Sequence, residues 1–346
     1  MKMRKKTTSR LCAMAIAGAM MAATLGMNVN AADATDVHFT KTLDMRGAQG
    51  ASTPDVTFTY TIEPGQGVGA TENNPEILPG VDGATVEEAV FTHTDADLTD
   101  EVSVDFSRVN FTKPGIYRYV IKEQTSTNVD ITNDTNDTRY LDVYVVNDGQ
   151  DGYKIANSVL LASERTPDND GNYGIENKSD GYTNSYKTYA LTLKKVIKGD
   201  MADMNKKFDF TVTFVGGSAN ASFTFGGQTV ILDADGKGSV AVSLGNNETV
   251  TFTGIPSTVN YTITENIETK EGYDTSYTVN GGDSVKGTST DEVTIGKDDD
   301  SVVFTNQKDA VTPTGVIMTV APFVVLIALA AAVAVLFFRK KRNAGF

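Results

Sequence analysis

The chain has 346 residues, enough for two or three domains at roughly 100 to 200 residues each. With 30 basic against 44 acidic residues the net charge is −14, and such a field repels phosphate backbones, which excludes nucleic acid as a partner. There is one cysteine, Cys12, and there are two histidines, His38 and His93. A Cys/His metal centre, a cysteine nucleophile and a structural disulfide are therefore excluded once the leader carrying Cys12 is removed.

Residues 1–31 open with Lys2, Arg4, Lys5, Lys6 and Arg10, continue as an apolar stretch from Leu11 to about Met27, and close on Val29-Asn30-Ala31. That order is a secretory signal peptide. Beyond it, short runs alternate apolar and polar residues: VTFTYTI from Val56, YRYVI from Tyr117, YLDVYVV from Tyr140, FDFTVTF from Phe208, VTFT from Val250 and NYTIT from Asn260. Period two in β-branched and aromatic residues predicts half-buried strands. Turn-forming clusters such as Asn147-Asp148-Gly149, Asp235-Gly236 and Gly281-Gly282 separate them. The predicted fold class is all-β: two tandem immunoglobulin-like sandwiches with antiparallel sheets.

An internal repeat divides the strands into two units. VHFTK, ending at Lys41, matches LTLKK, ending at Lys195; YVIKE, ending at Glu123, matches YTITE, ending at Glu265; GYTN, ending at Asn184, matches VFTN, ending at Asn306. The units are expected over 32–187 and 188–310, and the very short link between them implies a stiff, end-to-end rod.

The last segment, 311–346, reads Val311-Thr312-Pro313-Thr314-Gly315, then an uncharged apolar run over 316–338, then Arg339, Lys340, Lys341 and Arg342. A run of that length spans about 30 Å of hydrocarbon as a helix, with the basic cluster on the inside. Pro-Thr-Gly, apolar span and basic tail together resemble the cell-wall sorting signal of Gram-positive surface proteins. That resemblance implies a sortase cutting between Thr314 and Gly315 and passing the Thr314 acyl group to an amine. The proline at 313 departs from the common L-P-x-T-G wording and is similar to a variant seen in some pilins. Removing leader and tail takes nine basic and no acidic residues, leaving 21 against 44 and a net charge of −23.

A Lys, a Glu and an Asn recurring in the same order inside apolar β words suggest a reaction rather than three solvated side chains. An ε-amine held dry against a carboxamide can attack its carbon and expel ammonia, because burial favours the neutral amine. A carboxyl group beside them polarises the carbonyl and moves the proton to the leaving group; Glu123 and Glu265 fit that part. This is single-turnover self-processing, not enzymatic turnover, and it needs no cofactor or metal.

These words, with KPGIYRY from Lys113 to Tyr119 and FTN close before the sorting motif, resemble the backbone pilins of the streptococcal T-antigen type over about Val37 to Gly315. The resemblance implies two isopeptide domains, Lys41 joined to Asn184 under Glu123 and Lys195 joined to Asn306 under Glu265; strand alternation and its match to Thr40 turn the neighbouring Lys194 outward. It also implies an acceptor amine shortly before the first isopeptide Asn, where Lys178 stands, with Lys187 and Lys154 as fallbacks. The expected partners are a sortase, identical subunits in a covalent homopolymer, peptidoglycan, and minor pilins or host surface ligands. The expected location is the Gram-positive wall or pilus, with the precursor held transiently in the membrane by 316–338. The runner-up is a monomeric wall-anchored adhesin or spacer with the same signal. Asp233 to Gly238 is read as a hairpin turn because Leu244 stands where a calcium loop needs Glu, and Asp298-Asp299-Asp300 as solvated loop.

Overall fold

The computed structural model describes residues 36–150, 152–268, 271–310 and 326–335. The leader 1–31, the motif Val311–Gly315 and most of the expected span lie outside the described residues; 326–335 is helical. Among the described residues no helix is long and apolar enough to cross a membrane.

Both units are built from strands of alternating burial. In the first strand, Val37–Gly47, residues Val37, Phe39, Lys41 and Leu43 are buried while His38 is exposed. The strand Tyr189–Lys198 buries Leu191, Leu193, Lys195 and Ile197, and Lys194 lies only partly buried on the opposite face. Each lysine thus sits mid-row in an apolar face, because the two-residue period of a strand carries it there with its neighbours.

In the first unit, the sheet ordered Thr85–Val86, Thr99–Asp105, Val37–Gly47, Gly181–Lys187, Ile131–Thr132 faces a sheet ordered Tyr153–Leu161, Thr138–Asn147, Gly115–Glu123, Tyr60–Pro64. The second unit pairs a seven-stranded sheet, centred on Tyr189–Lys198 and Asp300–Gln307, with a four-stranded one containing Phe208–Val215 and Asn260–Glu265. Each pair of sheets encloses its own apolar cluster, around Phe39, Tyr119 and Tyr182 in one unit and around Phe210, Phe252 and Phe304 in the other.

One feature departs from the expected antiparallel sandwich. The first and last strands of each unit run parallel, Val37–Gly47 beside Gly181–Lys187 and Tyr189–Lys198 beside Asp300–Gln307. Alternation of side chains is blind to strand direction, so the sequence pattern carried no sign of it. The turn at Asp233 also differs. Its carboxylate accepts the N–H groups of Asp235 and Lys237, both at 2.9 Å, but the flanking strands Gln228–Ile231 and Lys237–Leu244 lie in different sheets, so it is a corner rather than a hairpin. Asp300 is buried, not solvated: its Oδ1 accepts Asn280 Nδ2 at 2.7 Å.

The units meet at a hydrogen-bonded junction. Ser52 N–H donates to Ser222 O at 2.8 Å and Ser222 N–H to Ser52 Oγ at 3.0 Å. Ser257 N–H donates to buried Asp130 Oδ2 at 2.9 Å, and Lys297 Nζ to Val129 O at 3.1 Å. Gly50 and Gly254, at φ +88° and +92°, touch here; a Cβ on Gly254 would lie 2.4 Å from Ala51 N, so the close approach requires glycine.

The first unit also carries a buried polar network. Arg118 and Asp142 are both fully buried and pair in a fork, Nε to Oδ1 at 2.8 Å and Nη2 to Oδ2 at 2.7 Å. Tyr173 OH donates to the same carboxylate and Arg118 Nη2 to Arg165 O. Tyr144 OH reaches Gly171 O at 2.9 Å. The connection over 162–177 is therefore strapped across the outer face of the sheet, which buries Asp142 on a face that alternation assigns to solvent. Removing one partner of a buried pair strands the other charge. Asp142→Ala is expected to lower the unfolding free energy of the first unit by about 3–5 kcal/mol, whereas Glu164→Ala, at the half-exposed rim of the network, costs under about 1 kcal/mol. Urea unfolding followed by tyrosine fluorescence checks this, and equal losses would contradict it.

Candidate functional site

The repeated residues converge in each unit by the same register. On the parallel pair of the first unit Lys41 lies opposite Tyr182 and Leu43 opposite Asn184; in the second, Lys195 lies opposite Phe304 and Ile197 opposite Asn306. In both, the Asn stands two residues beyond the partner of the Lys, on the same inward face. The glutamates come from the facing sheets, each as the final residue of its strand, Gly115–Glu123 and Asn260–Glu265. All six side chains are buried, the four Lys and Asn completely so.

In the second unit the three groups touch. Lys195 Nζ donates to Glu265 Oε1 at 2.7 Å, and Asn306 Nδ2 donates to that same oxygen at 2.5 Å. In the first, Lys41 Nζ donates to Glu123 Oε1 at 2.5 Å. Asn184 is held otherwise: its Oδ1 accepts the N–H of Asp134 at 3.0 Å and its Nδ2 donates to Asn133 Oδ1 at 3.4 Å. Among the described residues no hydrogen bond joins Asn184 to Glu123.

The surroundings are dry and aromatic. The Phe58 ring lies 4.1 Å from Lys41 Nζ, and the rings of Phe208 and Phe210 lie 4.4 and 5.6 Å from Lys195 Nζ. Burial lowers the Lys195 amine to about 8, against the opposing pull of Glu265, and lowers the Lys41 amine in the same way against Glu123. Burial, and then the Glu123 charge, push the Tyr60 hydroxyl upward. One oxygen of each glutamate, Glu123 Oε2 and Glu265 Oε2, is buried without a hydrogen bond among the described residues. What the arrangement supplies is a poorly solvated amine, a carboxamide and a carboxyl group in contact with the amine, away from water.

The other expected residues fall outside these clusters. Lys178 is exposed, in a bridge with Leu161 that closes the ends of the 162–177 connection. Lys187 is exposed and sits 4.9 Å from the Tyr189 ring, while Lys154 is half-buried. Neither Asp134, whose contribution is a backbone N–H without a side-chain signature, nor Phe58, one member of an alternating strand, is legible in the sequence pattern.

Residues 37–189 match the Spy0128-like isopeptide containing domain, and residues 189–308 match a family described as a domain of unknown function. The chain is 29% identical to a pilin of Streptococcus pyogenes serotype M1 over 326 residues, covering 88% of this chain and 90% of that one. It is 32% identical to the pilus tip adhesin Cpa of Streptococcus pyogenes over 132 residues, 37% of this chain and 18% of that one. The crystal structure of the major pilin from Streptococcus pyogenes superposes with a TM-score of 0.64 at 27% identity, covering 81% of this chain and all of that one. Such pilins are structural proteins of the Gram-positive cell surface, not enzymes. Over most of its length the chain is thus homologous to the major pilins, the backbone subunits of Gram-positive pili, and its residues 37–189 match an isopeptide-containing domain.

Proposed function

We propose that the chain is the repeating subunit of a covalently polymerised pilus, exported under the leader 1–31, with units over 32–187 and 188–310 each locked by a self-formed Lys-Asn isopeptide bond. The bonds join Lys41 to Asn184 and Lys195 to Asn306. The observation that carries this reading is that one oxygen of Glu265 receives both Lys195 Nζ and Asn306 Nδ2. Those are the two nitrogens between which a proton must pass when an amine displaces ammonia from an amide.

Glu265 takes a proton from the Lys195 ammonium, and the neutral amine forms a bond to Asn306 Cγ while Oδ1 takes up the electron pair. The glutamic acid gives its proton to Nδ2 and its carboxylate takes one from Nζ. The Cγ–Nδ2 bond breaks, ammonia leaves, and the acid is regenerated. Glu123 does the same for Lys41.

At the C-terminal end, a sortase cuts the motif Val311-Thr312-Pro313-Thr314-Gly315 after Thr314 while the segment 316–338 holds the precursor in the membrane. The acyl group passes to Lys178 of the next subunit and, at the base, to peptidoglycan. The exposure of Lys178 and its place on a braced bridge favour it over half-buried Lys154 and over Lys187 stacked on Tyr189. Minor pilins and host surface ligands are further partners of the assembled fibre.

Each bond removes one ammonia, about 17 Da, so the folded exported chain is expected about 34 Da below its sequence mass, and Glu265→Ala to restore half of that deficit. Intact-mass spectrometry reads both; a wild-type chain at its full sequence mass would overturn the crosslinking. Wall extracts of the producing cell are expected to show an SDS-resistant ladder that Lys178→Ala or Thr314→Ala abolishes. A single wall-linked band in the wild type would indicate a monomeric anchored protein instead.

A further inference from the structure

The two crosslinking sites are poised differently, and the difference lies at the carbonyl oxygen. Asn306 Oδ1 is buried with no hydrogen bond among the described residues. Asn184 Oδ1 accepts the backbone N–H of Asp134 at 3.0 Å. When the lysine attacks, that oxygen takes up the negative charge of the tetrahedral intermediate, so a donor already aimed at it in a dry site stabilises the transition state more than the ground state.

The donor is also held rigidly. Asp134 Oδ1 accepts Asn136 N–H at 2.9 Å, and its Oδ2 accepts Thr183 N–H at 2.9 Å, on the residue next to Asn184. Arg139 Nη2 pairs with the same Oδ2 at 3.0 Å, which offsets the carboxylate charge near the reacting oxygen. Arg139 is fixed in turn by Ser179 Oγ at 2.9 Å and Gly181 O at 3.0 Å. The turn bearing the N–H and the strand bearing Asn184 are thereby one body.

We propose that the Asp134 N–H is an oxyanion donor for the Lys41-Asn184 bond, with the Asp134 carboxylate as the positioning group that locks it to the last strand. This rests on the crosslinking reading above. In the first unit Lys41 Nζ bonds to Asn184 Cγ, Oδ1 carries the transient charge against the Asp134 N–H, and Glu123 relays the proton. Ammonia leaves from Nδ2 and the carbonyl reforms. Among the described residues the second unit offers no such donor, and it depends on Glu265.

The test follows each bond separately in the full exported chain, made in a short cell-free translation pulse and sampled by peptide mapping. Asp134→Pro removes the N–H and is expected to slow the Lys41-Asn184 bond roughly 100-fold, the cost of one oxyanion donor, leaving the Lys195-Asn306 bond at the wild-type rate. Asp134→Ala keeps the N–H but frees the turn, and is expected to slow the same bond about tenfold, less than the full loss of a donor. Asp134→Asn keeps an acceptor for Thr183 or Asn136 and is expected to recover most of the rate. Should the proline variant fail to fold, the Ala and Asn pair decides. A wild-type rate in Asp134→Ala, or no recovery in Asp134→Asn, overturns the donor. A wild-type chain that forms neither bond overturns the crosslinking reading itself, which separates the two failures.

Discussion

A lysine amine enclosed by phenylalanine rings, with no access to water, is the constraint on which the rest of this structure depends. Charged, it must find a counter-ion and still lose its hydration; neutral, it becomes a nucleophile. Each unit resolves the problem in the same way, by bringing a glutamate from the facing sheet to 2.5 Å of Lys41 and to 2.7 Å of Lys195. A buried ion pair of this sort adds little to stability by comparison with apolar packing. The proposed crosslinking, rather than folding energy, accounts for its place in the middle of an otherwise apolar strand face.

The parallel pairing of first and last strands would give the proposed crosslink its mechanical meaning. Chain enters each unit on one of these strands and leaves on the other, so a bond between them carries tension through the shortest path and leaves the remaining strands unstretched. Closing loops of 143 and 111 residues, the spacings of Lys41 to Asn184 and Lys195 to Asn306, also restricts the unfolded chain by roughly 5 kcal/mol each on the loop-entropy model. Residues 32–346 hold no cysteine, so the proposed crosslink would stand where disulfides otherwise serve, and reductants would not open it. The junction of Gly50 against Gly254 and of Asp130 on Ser257 joins the two units without a flexible linker.

Much of this was legible before any coordinates. The alternating words placed the strands, and the threefold match of Lys41, Glu123 and Asn184 to Lys195, Glu265 and Asn306 picked out the buried polar sets, because repetition is evidence that a lone lysine cannot give. What escaped did so for physical reasons. Strand direction leaves no trace in a two-residue period, so the parallel pairing was missed. Asp142 reads as an outward residue of YLDVYVV, and only the strap over 162–177, a tertiary contact, buries it. Asp300 looked like part of a solvated acidic run, yet it opens the last strand and is enclosed with Asn280. The Asp134 N–H belongs to the backbone and is invisible to any reading of side chains.

Pulling a single molecule from its two ends tests the central claim most directly, because only a covalent tie between first and last strands withholds the chain between them. The account predicts that the force-extension trace shows no release from either unit up to rupture of the attachment. Sudden lengthening of about 500 Å or 400 Å, the reach of 143 or 111 extended residues at roughly 3.6 Å each, would show that the strands part under load, and would contradict it.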